Sequence, residues 1–331
     1  MPLSSGLDRR GFLLGLAGAT AVASVARAQP TWTPPQPDRE LMVPVRGGRI
    51  YVRINGDLKA PRAPVICAHG GPGGSHAYFL PSLQMTGERA MILYDQLDSG
   101  LSDRPDDPAN WTVERFVSEV DAIRAALDLP RLHLVGHSWG ATIALEYAAR
   151  QPGGLQSVTL GSPLISTKSW TQSTLAQLAK LPPDVIETIN RLEAAGDTNS
   201  PAYEAAMRVF YGQYASRRPA PAYLRAYAEA RGLRTNDKLY QGMWGPGEIR
   251  ATGSLKTYDG EPLLPRVTAP ALVITGEHDE MTADVLRPLV ERMPRASLVV
   301  VPDAGHGMPA THAEPYIAAV QAHLRRNDPQ A

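Results

Sequence analysis

Apolar residues recur along this chain at two periods, and where one gives way to the other outlines the fold. Residues 41–54 alternate around Gly47-Gly48, which predicts a β-hairpin. Short apolar runs at 64–68 and 90–94 predict buried strands, and 113–127 carries helical spacing. Leu132, Leu134 and Val135 predict another strand, after which Ala141, Ala144, Leu145 and Ala148 recur on one helical face until Pro152-Gly153-Gly154. A further run at 157–160 reads as a strand. Strands alternating with helices imply an α/β domain, a mostly parallel sheet covered on both faces.

The alternation then stops. Residues 165–258 are helical in pattern and rich in Tyr and Pro, with helices expected near 185–195, 201–214 and 222–231. Breaks fall at Pro182-Pro183, Gly196, Pro219 and Gly232, and Ser200-Pro201 suits an N-cap followed by proline at the first helical position. This stretch reads as a helical cap inserted between two parts of the core, 40–164 and 259–331. Strand patterns return at 271–275 and 297–301, and a closing helix is expected at 316–325.

Residues 1–28 have the form of an export signal. Arg9-Arg10 precede Gly11-Phe12-Leu13-Leu14, a small-residue apolar stretch follows, and Ala26-Arg27-Ala28 fits a small-x-small cleavage site. The paired arginines resemble the twin-arginine signals by which bacteria export proteins, so the expected partner of the precursor is the Tat machinery and the expected location is the periplasm or the medium. A retained membrane anchor is the alternative. Residues 29–39 follow as a Pro-rich linker.

Composition narrows the chemistry. The chain has 331 residues with 33 basic and 33 acidic side chains, and removal of Arg9, Arg10, Arg27 and Asp8 would leave 30 and 32. No basic block suggests a nucleic-acid partner. The single cysteine, Cys67, excludes an internal disulfide and sits in an apolar run as a buried thiol. The eight histidines show no metal-binding spacing, so neither metal nor cofactor is expected.

Gly136-His137-Ser138-Trp139-Gly140 reads G-x-S-x-G between a predicted strand and a predicted helix, the setting of a serine nucleophile on a sharp turn. A serine hydroxyl needs a base, and the base needs a partner that sets its tautomer. In the order Ser, acid, His, each in a loop after a strand, Asp279 and His306 are the expected partners. Asp303 is the rival acid, and His278 and His312 are the rival bases. The oxyanion requires two backbone donors, one from Trp139 and one from the glycine loop His69-Gly70-Gly71-Pro72-Gly73-Gly74.

From about Glu40 to Arg325 the chain resembles the prolyl aminopeptidase (proline iminopeptidase) family of α/β-hydrolases, and within it the L-amino acid amidase or prolinamide hydrolase branch. The resemblance is carried by the glycine loop, Asp95-Gln96, the elbow, Met243-Trp244-Gly245-Pro246-Gly247-Glu248 with Thr252-Gly253-Ser254-Leu255-Lys256, and Gly276-Glu277-His278-Asp279-Glu280. It implies the α/β-hydrolase fold, Gly71 and Trp139 as oxyanion donors, and Glu248 and Glu280 as anchors for a substrate's free amino group. Three positions depart from the pattern: Ala141 and Asp98 stand where glycine is common, and Gly307 is atypical after the histidine.

The resulting expectation is a serine hydrolase that removes an N-terminal residue, with proline foremost, from an amide or short peptide. The competing readings are a carboxylesterase or lactonase with the same triad, and a silent binding protein on a hydrolase scaffold. Specificity within these classes and oligomeric state leave no mark in the sequence.

Overall fold

The computed structural model describes residues 32–328; the expected export signal at 1–28 and the start of the linker lie outside them. Residues 32–37 run without regular structure into the hairpin of β1 (Arg39–Val45) and β2 (Gly48–Asn55). Then come β3 (Val65–Ala68), a 3-10 segment (His76–Gly87), β4 (Met91–Tyr94), α1 (Val113–Ala126), β5 (Leu132–His137), α2 (Trp139–Ala149) and β6 (Leu155–Gly161). Five helices follow before the sheet resumes: α3 (Thr167–Leu178), α4 (Pro183–Ala194), α5 (Pro201–Tyr214), α6 (Ala222–Ala230) and α7 (Asp237–Met243). The chain closes with β7 (Ala271–Gly276), α8 (Ala283–Val290), β8 (Ala296–Val301), α9 (Met308–Thr311) and α10 (Ala313–Arg326).

These strands form one eight-stranded sheet in the order β1-β2-β4-β3-β5-β6-β7-β8. β1 and β2 are antiparallel to their neighbours, and every pair from β4 to β8 is parallel. The period-2 alternation of the central strands sends their side chains to two separate cores. Ile66, Ala68, Leu132, Leu134, Ala271 and Val273 pack with α1 and α2 on one face. Val65, Cys67, Val135, Leu272 and Ile274 pack with the 3-10 segment and α10 on the other. A smaller apolar cluster, including Leu178, Ile189, Leu192, Met207 and Phe210, holds α3, α4 and α5 together.

Sequence periodicity located every strand, but it singled out none of the short helices α7, α8 and α9 and missed the longer α3. That helix is N-capped by the Ser166 hydroxyl, which accepts from the Ser169 amide, and its buried face includes Thr167, Ser169, Ser173, Thr174 and Gln177. A helix that turns polar residues inward has no apolar stripe to read.

Candidate active site

The parallel strands run their C-terminal ends to a common edge, where the loops after β3, β4, β5, β6, β7 and β8 converge. Ser138 occupies the turn between β5 and α2 at φ 57° and ψ −123°, a left-handed backbone that L-residues adopt only under constraint. The constraint is local crowding. A Cβ on Gly140 would lie 2.0 Å from the Ala68 carbonyl oxygen, and one on Gly136 would lie 2.1 Å from that of Gly140. Only glycines let β5, α2 and the end of β3 approach this closely.

The glycine loop is shaped the same way. Gly71 has φ +125°, and a Cβ there would meet the amide nitrogens of Gly73 and Gly74 at 2.7 and 2.8 Å. Gly70 passes so near the nucleophile turn that an added Cβ would lie 2.9 Å from Cβ of Ser138. Gln96 ties loop and turn together. Its amide Nε2 donates to the His69 carbonyl at 2.6 Å, its Oε1 accepts from Trp139 Nε1 at 2.8 Å, and its backbone N–H donates to His69 Nε2 at 3.1 Å. Gln96, Trp139 and His69 are all buried. Asp98, where glycine was the common residue, takes the left-handed backbone itself at φ 62°. Its carboxylate accepts from Trp111 Nε1 at 2.9 Å and the Asp106 amide at 2.8 Å.

His306 and Asp279 are brought together, with Nδ1 of the ring 3.0 Å from Oδ1 of the carboxylate. The rival groups lie elsewhere. Asp303 pairs with Arg217 and Arg218 at the surface, His312 bonds Thr311 Oγ1 through Nδ1 at 3.0 Å, and His278 is 4.0 Å from Glu277. The loop bearing His306 is held from the cap, because the N–H groups of His306 and Gly307 donate to the carbonyls of Tyr214 and Ala215 at 2.8 and 2.7 Å. From below, His137 Nε2 donates to the His306 carbonyl at 2.9 Å, which places the proton of that ring on Nε2. Burial and the neighbouring His306 push His137 down to about 3, so it stays neutral.

The two adjacent carboxylates after β7 have opposite surroundings. Asp279 accepts from Ser162 Oγ at 2.6 Å and from the amides of Gly276 and Met281 at 3.2 and 3.1 Å. Burial opposes its charge, but His306 and these donors hold it below the usual carboxylate range. Glu280 is also fully buried, yet neither of its oxygens accepts a hydrogen bond, and Oε2 lies 3.7 Å from Nδ1 of His306. Burial pushes it well above its ordinary value; His306 opposes this, and Glu248 and Asp279 add to it. Glu248 reaches the same pocket from the loop after α7, where Tyr240 donates to its Oε1 at 2.5 Å, and burial raises it too. Burial would lower His306, but Glu280, Asp279 and Glu248 outweigh it and raise the imidazole to about 9.

The unpredicted helix α3 places this acidic end of the site. Trp170 Nε1 donates to the Glu248 carbonyl at 2.8 Å, Ser173 Oγ to that of Glu280 at 2.6 Å, and Gln177 Nε2 to that of Asp279 at 2.8 Å. The Trp170 ring also stands edge-on to His306, with centroids 5.5 Å apart. Ser138, Gly71, His306, Glu248 and Glu280 all line one cavity of about 350 Å³, whose remaining wall includes Tyr78, Tyr203, Met207, Tyr211 and Tyr240. Among the described residues no cluster of side chains could hold a metal ion.

Comparison with known proteins gives a consistent result. The family profile described as the alpha/beta hydrolase fold matches residues 63–313. The proline iminopeptidase of Heyndrickxia coagulans is 38% identical over 282 residues, which cover 85% of this chain and 96% of that protein. The crystal structure of proline iminopeptidase from Mycobacterium smegmatis has 33% identity and a TM-score of 0.77, covering 87% of this chain and 98% of that one. The crystal structure of VinJ has 32% identity and a TM-score of 0.81, covering 88% and 99%. The chain belongs to the proline iminopeptidase family of α/β-hydrolases, and its enzyme class is a serine hydrolase of the aminopeptidase type.

Proposed function

We propose that this enzyme releases an N-terminal residue, with proline preferred, from amides or short peptides whose α-amino group is free. Ser138 attacks the scissile carbonyl while His306 Nε2 takes its proton, and Asp279 holds the ring with Nδ1 protonated. The backbone N–H groups of Gly71 and Trp139 receive the oxyanion. His306 then returns the proton to the leaving amine, and water cleaves the acyl-enzyme by the reverse sequence.

The observation that carries this reading is Glu280: a buried carboxylate with both oxygens unpaired, in the cavity that Ser138 lines. A buried carboxylate without donors is costly, and a substrate ammonium would supply them. Glu248 would share the charge, and together they would aim the carbonyl at Ser138. An ester or lactone has nothing to offer them.

The test is kcat/KM for prolinamide and p-nitrophenyl acetate at pH 7, where the substrate's amino group is an ammonium, in wild type, Glu248→Gln and Glu280→Gln. Each substitution should cost prolinamide roughly 2–5 kcal/mol, the range for truncating one side of a buried charge pair, and the ester far less. A parallel fall in both substrates would refute the anchor, as would efficient wild-type cleavage of N-acetylprolinamide. The reading includes twin-arginine export, motivated by Arg9-Arg10 and Ala26-Arg27-Ala28. A mature N-terminus near Gln29 in the periplasmic fraction is expected, and soluble cytoplasmic enzyme retaining residues 3–28 would contradict it.

A further inference from the structure

The site holds one imidazole among three carboxyl groups. Nδ1 of His306 faces two of them, Asp279 Oδ1 at 3.0 Å and Glu280 Oε2 at 3.7 Å. Asp279 has its other acceptor positions filled by Ser162, Gly276 and Met281. Glu280 has none filled. Burial favours the neutral acid of Glu280, but that form would bury an O–H with no acceptor; the carboxylate is favoured by the one compensating charge within reach, the imidazolium of His306. The other groups facing His306 do not supply that charge. Glu248 comes from the loop after α7 and is acidic, and His137 beneath the ring, at 4.8 Å between centroids, stays neutral. Trp170 from α3 is uncharged, and α5 contributes the Tyr214 carbonyl, which accepts from the His306 amide.

We propose that Glu280 gates the base: in the empty site it holds His306 as an imidazolium, and the substrate's own ammonium, by taking over Glu280, frees His306 to act. The inference rests on the amine-anchor reading above and adds a second consequence to it. Charge balances at each step. One positive charge enters as the substrate's ammonium, the Nε2 proton of His306 leaves to solvent, and the Nδ1–H bond to Asp279 is kept. The ring is then the neutral tautomer with a bare Nε2 toward Ser138, as general-base catalysis needs. A neutral ester enters without a charge and meets a base that is still protonated at neutral pH. Selectivity for free-amine substrates therefore comes from activating the base as well as from binding. The raised titration of the empty-site imidazole, to about 9, is consistent with this geometry.

The experiment compares pH profiles on the full-length enzyme, using kcat/KM of p-nitrophenyl acetate for the free enzyme and kcat of prolinamide for the complex. The ester profile should climb ~10-fold per pH unit through neutrality and level off near pH 9, while the prolinamide profile levels off at least ~1 unit lower. Glu280→Gln should hydrolyse the ester ~10-fold faster than wild type at pH 7 as the free-enzyme inflection drops, although it loses prolinamide turnover. Coincident inflections with prolinamide still a good substrate overturn the gate and leave the anchor standing. Ester turnover by the wild-type enzyme without any prolinamide turnover overturns the anchor and the gate together. Should Glu280→Gln not fold, NMR titration of His306 in Ser138→Ala decides: prolinamide should lower the ring's titration by ~1 unit or more and N-acetylprolinamide should not move it. An unmoved titration with prolinamide bound rejects the proposal.

Discussion

The two walls of the active-site cavity are built on different principles. The sheet wall, made by the glycine loop and the nucleophile turn, is held by backbone contact so close that glycine is obligatory. Gln96, from the loop after β4, adds three hydrogen bonds, two to His69 and one to Trp139. The cap wall is held at the backbone by Trp170, Ser173 and Gln177 but leaves the carboxylate of Glu280 unpaired. On the proposed mechanism the sheet wall stabilises a short-lived oxyanion, and such a wall gains from being rigid before substrate arrives. The cap wall, on the same proposal, recognises an incoming charge and gains from being incomplete, since the missing partner is then the substrate.

If that division of labour is right, damage to the sheet wall should appear in kcat and damage to the cap wall in substrate discrimination. Gln96→Leu gives the larger effect. It removes the ties from Gln96 to the His69 carbonyl and Trp139 Nε1, loosening the spacing of the oxyanion donors, and should lower kcat ~10²-fold with KM little changed. Gln96→Glu keeps an acceptor for Trp139 but sets a buried carboxylate oxygen against the His69 carbonyl, and should lose at least as much. A change confined to KM, or near-wild-type kcat in either variant, would remove Gln96 from this role.

Trp170→Phe is the milder probe of the cap wall. It keeps a ring against His306 but deletes the donor to the Glu248 carbonyl, worth ~1 kcal/mol for a neutral hydrogen bond. KM for prolinamide should rise several-fold, with kcat and p-nitrophenyl acetate hydrolysis close to wild type. Equal losses on both substrates would show that Trp170 serves the whole site instead of the amine pocket.

The sheet wall was also the readable one. The G-x-S-x-G turn, the glycine loop and the strands feeding them are encoded by contiguous residues whose steric demands are local. The order of loops after strands was enough to nominate Asp279 and His306 over Asp303, His278 and His312, and the structure seats His306 beside Asp279. On the cap side α3 went unread, because Ser173, Thr174 and Gln177 turn inward with no periodic apolar face. Ser162, which donates to Asp279 at 2.6 Å, gave no signal either, since a serine after a strand has many ordinary uses.

The strand alternation, the nucleophile turn and the cast of charged residues are legible along the chain, because each depends on side-chain spacing or on backbone freedom within a few positions. Which of those charges is satisfied is a matter of packing. Asp279 and Glu280 are consecutive acidic residues on one loop, and nothing in their identity separates them. Residues 27 to 117 positions away, His306 and Ser162, donate to the first, while the second is buried with no donor at all. Burial and hydrogen-bond supply are properties of the packed chain, and they turn one carboxylate into a fixed partner for the histidine and leave the other open to a cation.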